Sequence, residues 1–95
     1  MTTDTAERDM QPFHLSVFIR EELDARSWTL DNLAVKMGGD FSMNRLALDF
    51  YMEIGANNPT MRIGKDTAKR IAVALGVSTQ YILGLEAAWL GAQND

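Results

Sequence analysis

Cysteine is absent from this chain and histidine occurs once, at His14. Without cysteine there are no disulfides and no thiolate ligands. With a single histidine, neither a histidine-rich metal site nor the common nucleophile–base pairs can be assembled. The carboxylates are spread along polar faces, with no apolar pocket implied around any pair to drive their pKa values apart. Catalysis is therefore not expected, and no cofactor or metal is implied. Long apolar runs are missing too: none approaches the ~20 residues of a bilayer span, so no membrane partner is expected. The opening MTTDTAERDMQ is acidic and polar where a secretory leader would carry a basic start and an apolar run. It reads as a loose tail over residues 1–11, and a cytoplasmic location is the default. Strand-like alternation is sustained nowhere.

What remains is enough for one domain: 95 residues, 46% of them hydrophobic, can bury a single modest core. The formal charge of −4 weighs against nucleic acid, because affinity for phosphates requires concentrated cations. Some concentration exists. Arg62, Lys65, Lys69 and Arg70 cluster with only Asp66 among them, while the acidic excess lies in the first residues and in Glu21, Glu22 and Asp24. The alternative is that both groups are ordinary solvated helix faces.

Five helical patterns follow one another. From Pro12 or Phe13, the stripe Leu15, Phe18, Ile19, Leu23 marks a first helix. His14 reads as a helix-start residue. Ser27 or Thr29 can cap the second, with Trp28 placed to staple its entry, and Leu30, Leu33, Ala34 and Met37 form its buried face. Gly38 and Gly39 then stop it and turn the chain, giving the pattern of a helix-turn-helix. In the third helix, from about Ser42, Met43, Leu46, Ala47, Phe50 and Ile54 gather on one face and are expected in the core. Arg45, Leu48, Asp49 and Met52 would point outward, with Asn44 and Tyr51 at the edge. Leu48 and Met52 then form a small apolar stripe for a partner protein; the other possibility is that the face is rotated and one of them packs under the following loop. Gly55 to Arg62 reads as loop. Ile63 to Leu75 is the fourth helix, with Ala68, Ile71, Ala72 and Leu75 inward and Gly76 as its stop. Ser78 caps a fifth, with Tyr81 or Ile82, Leu85, Ala88 and Trp89 on its apolar side. The expectation is an all-α, compact five-helix bundle with a helix-turn-helix over residues 12–91, frayed over 92–95.

The segments LAVKMGG and DTAKRIAVALGVSTQYIL resemble the lambda-repressor/Cro-like (XRE-type) helix-turn-helix family. PFHLSVFIREELDARSWT and LGLEAAW are more narrowly similar to its HigA-like antitoxin branch. The resemblance implies a sequence-specific, repressor-like transcriptional regulator that binds double-stranded DNA as a homodimer on a palindromic operator. Carried over by position, Ser42, Asn44 and Arg45 would contact bases, and Thr29, Lys36, Arg62 and Lys65 would contact phosphates. Two departures stand out. Leu30 occupies a position that is often a phosphate-bonding glutamine in the family. The family spacing counted from Ala34 would put apolar residues at 44 and 47, where this chain has Asn44 and Ala47, so GGDFSMNR reads as holding a short insertion. The alternative function is a protein-binding module on the same fold, such as an antitoxin that grips a toxin, with Leu48, Met52 and Trp89 as its interface and DNA binding weakened or lost.

Overall fold

The first helix is set by its cap. His14 precedes it, and its Nδ1 accepts a hydrogen bond from the Ser16 backbone N–H at 3.1 Å. This computed structural model describes residues 13–58 and 60–94, so the expected tail and Pro12 lie outside the described residues. Helix α1, Leu15–Arg26, buries Leu15, Ser16, Ile19 and Leu23 on one stripe. It ends where Ser27 takes the left-handed conformation (φ 56°), an uncommon choice for a residue with a side chain. Trp28 N–H closes the end by donating to Leu23 O at 2.9 Å.

Thr29 caps α2, Leu30–Lys36, in a reciprocal pair with Asn32: the Thr29 hydroxyl accepts from Asn32 N–H and the Asn32 side chain accepts from Thr29 N–H. Leu33, Ala34 and Met37 face inward. Gly38 and Gly39 both have positive φ, 77° and 75°, as the sharp turn requires. Asp40 then caps α3, Phe41–Asp49, by accepting from Met43 N–H at 3.1 Å. The helix does not end at Asp49. It widens into a π-helical turn, Phe50–Ile54, and tightens to a 3₁₀ turn, Gly55–Asn57.

Helix α4, Lys65–Leu75, starts two residues later than its pattern suggests, and buries Ala68, Ile71, Ala72 and Leu75. Ser78 Oγ accepts from Tyr81 N–H at the start of α5, Thr79–Asn94. That helix runs to Asn94. α1 packs on α5, α2 on α3 and α4, and α4 on α5. Arg26 fastens the end of α1 to the end of α4 by donating to Leu75 O at 2.8 Å. The described residues are all-helical, with no strand, and no single helix among them is long and apolar enough to cross a membrane.

The third helix is rotated relative to its sequence expectation. Leu48, Met52 and Tyr51 are buried at 1%, 2% and 3% exposure, whereas Met43, Leu46, Phe50 and Ile54 are 45–63% exposed. Outside the side that carries Ser42, Arg45, Asp49 and Glu53, two stripes of the helix satisfy helical spacing. Asn44, Leu48, Tyr51 and Met52 form the other one. The decision falls to Asn44, which can enter the interior because backbone carbonyls await it there.

Candidate functional site

Two helices and the glycine turn converge on Asn44. Its side-chain amide donates to Ala34 O, in the last turn of α2 and left open by that helix's termination, at 3.0 Å and to Gly38 O, in the glycine turn, at 2.7 Å. Both amide hydrogens are thereby spent, and the residue is 7% exposed. Asn44 is a clamp between α2 and α3, not a side chain available to bases. Position 44, where an apolar residue is expected by the spacing from Ala34, holds a buried polar side chain whose carbonyl partners are invisible in sequence. Ala47, the other such position, is half-buried.

Arg45 is also engaged. Its Nε donates to Asp31 Oδ1 at 2.7 Å and its Nη1 to Asp49, so the cation lies between two carboxylates. Ser42 is exposed. The expected partner interface of Leu48, Met52 and Trp89 is not a surface: all three are buried, Trp89 at 8% exposure. Among the expected phosphate contacts, the Thr29 hydroxyl oxygen is committed to its cap. Lys36, Arg62 and Lys65 are exposed and form no ion pair among the described residues. Lys36 Nζ lies 5.0 Å from the Trp28 ring centroid.

The structure exposes a different set on α3 and its π-helical extension: Met43, Leu46, Phe50 and Ile54. The stripe borders a hollow whose other wall is the start of α4, with Ala47 and Phe50 facing Arg62, Gly64 and Thr67. Further along α4, Lys69, Arg70 and Val73 line a second hollow against Met37 at the end of α2. Arg70 Nη1 donates to Gly38 O at 3.0 Å. Arg62, just before α4, therefore borders the apolar face of α3, while Lys69 and Arg70 on α4 border the end of α2 and the glycine turn.

A second polar constellation, missed in the sequence, is buried beneath. Glu86 is 6% exposed, and its Oε2 accepts from Tyr51 OH and from Ile63 N–H, each at 2.7 Å. The His14 ring stacks on Tyr51 at 4.8 Å and meets Trp89 edge-on at 4.7 Å. Because His14 Nδ1 accepts from Ser16, the neutral ring carries its proton on Nε2, which is buried without a partner. Burial holds His14 below its ordinary 6.5, partly opposed by the Glu86 carboxylate. Burial and the Glu86 hydrogen bond push the Tyr51 phenol well above its ordinary value. A glutamate one turn before Trp89 on an otherwise apolar face was the available signal. No three His, Asp or Glu side chains among the described residues gather where they could hold a metal.

Comparison of the chain with protein-family models, with curated proteins and with solved structures returns no match.

Proposed function

We propose that this chain is a protein-docking module built on a helix-turn-helix scaffold, with the outward face of α3 as its docking surface. One observation carries the reading: that face presents Met43, Leu46, Phe50 and Ile54. Direct readout of bases uses amides, guanidiniums and hydroxyls placed at base edges. Here the amide of Asn44 is spent inside the chain and the guanidinium of Arg45 is held by Asp31 and Asp49. An exposed row of large apolar side chains is instead what a protein partner covers. The HigA-like antitoxins that parts of the sequence resemble are one form such a module takes, and no catalytic role is assigned.

A sequence-specific DNA-binding regulator, acting as a homodimer, is the second reading. It is favoured by Arg62, Lys65, Lys69 and Arg70, all exposed and with no ion pair among the described residues, of which Arg62 borders α3 and Arg70 the glycine turn. In that reading these cations meet phosphates, subunits sit about 34 Å apart on successive grooves, and Arg62→Ala or Lys65→Ala weakens all duplexes alike.

Selection from a random duplex pool at low salt separates the two. The docking reading expects no enriched palindrome and no amide shifts in α3 when duplex is added. An enriched palindrome would overturn it, provided its affinity falls with salt by roughly one log unit per log unit for each phosphate contact.

A further inference from the structure

The charges on either side of the exposed stripe differ in sign. On the α4 side, the hollow beside Ala47 and Phe50 holds Arg62, and the next hollow, against Met37, holds Lys69 and Arg70 with Asp66 as the one acid. Arg70 also reaches the glycine turn. On the other side, Arg45 is the cation between Asp31 and Asp49, and exposed Glu53 follows one turn beyond Asp49. From Met43 to Ile54 the stripe runs about 16 Å at the rise of a helix, the length of three turns.

We propose that this face takes an amphipathic helix of a partner protein with an apolar stripe and an acidic edge, the acidic edge lying along α4. The inference rests on the docking reading and adds the partner's chemistry and orientation. Met43, Leu46, Phe50 and Ile54 meet the partner's i, i+3, i+4, i+7 residues, as when a helix lies in a groove. Arg62, Lys69 and Arg70 meet its carboxylates, and Asp49 and Glu53 repel a partner turned the other way round. Duplex DNA fits this pattern less well, because Asp49 and Glu53 border the same stripe and would face phosphates.

The test uses the full chain and two synthetic helical peptides of about 18 residues. Both have the same leucine stripe; one carries glutamates along one edge, and in its twin each glutamate is lysine. By fluorescence polarisation the glutamate-edged peptide should bind about tenfold tighter than its twin, with the margin shrinking as salt rises. Amide shifts should fall in residues 43–54 and 62–70. Leu46→Asp should remove binding with an unchanged thermal midpoint, since that side chain is half exposed. Arg62→Glu combined with Lys69→Glu, both on exposed side chains, should reverse the preference between peptides. Equal binding of the two peptides at α3 would overturn the acidic-edge inference while leaving docking intact. Binding of neither peptide, with duplex DNA shifting the same amides, would overturn both. Concentration-dependent self-association that covers Leu46 and Phe50 would overturn the inference in favour of a second copy.

Discussion

His14 and Glu86 approach Tyr51 from opposite ends of the chain, one by ring stacking and one by accepting its hydroxyl proton in a hydrogen bond. Each makes a measurable statement. The His14 imidazole is held below its ordinary 6.5 by burial, so the folded state binds that proton less readily than the unfolded state. Its contribution to stability is then complete above pH 6.5 and is lost as pH falls below that value toward the folded pKa. His14→Asn keeps a capping acceptor and should flatten the urea midpoint across that window. Identical pH slopes in both proteins would rule the linkage out. For Glu86, the two donors matter more than the carboxylate itself. Glu86→Leu leaves Tyr51 OH and Ile63 N–H buried without an acceptor and should cost about 3 kcal/mol in urea unfolding, whereas Glu86→Gln, which keeps a carbonyl oxygen, should cost about 1 kcal/mol. Near-equal losses would show that the charge, not the acceptor, is what the cluster needs.

At the scale of elements, α2, the glycine turn and α3 act as one unit whose joint is polar. Gly38 and Gly39 both sit at positive φ, but they differ in surroundings. A methyl group on Gly38 meets open space, whereas one on Gly39 would lie 2.6 Å from Arg70 Nη1. Gly38→Ala should therefore cost about 1–2 kcal/mol from backbone conformation alone. Gly39→Ala should cost more, because it also displaces the guanidinium from Gly38 O. In an Arg70→Ala background the two alanine variants should become equal; a gap that persists would place the strain elsewhere. Helix boundaries here were legible from caps and periodicity: Thr29, the glycine pair, Gly76 and Ser78 all serve as read. The rotation of α3 was not. A helix with apolar side chains on two faces leaves its orientation to whichever face finds partners, and Asn44 found carbonyls that only the folded α2 supplies. The two faces exchange for the same reason: Leu48 and Met52 lie inward, and Met43, Leu46, Phe50 and Ile54 lie outward.

Across the whole molecule, a few polar ties link the two halves of the chain, and one of them holds a connecting segment rather than a helix. Ile63 N–H, in the segment between the π-helical turn and α4, donates to Glu86 at the middle of α5. Segments between helices ordinarily trade their amide hydrogens with water through small local fluctuations. This one is anchored to a side chain that is itself sealed inside. Its deuterium uptake should run as slowly as that of Ile71 in α4, on the clock of global opening, while Asn57 and Thr60 nearby exchange within the shortest times measured. If Ile63 instead exchanges with its neighbours, the segment opens by itself. If it does not, a stretch with the look of a loose connector is the slowest door in the protein.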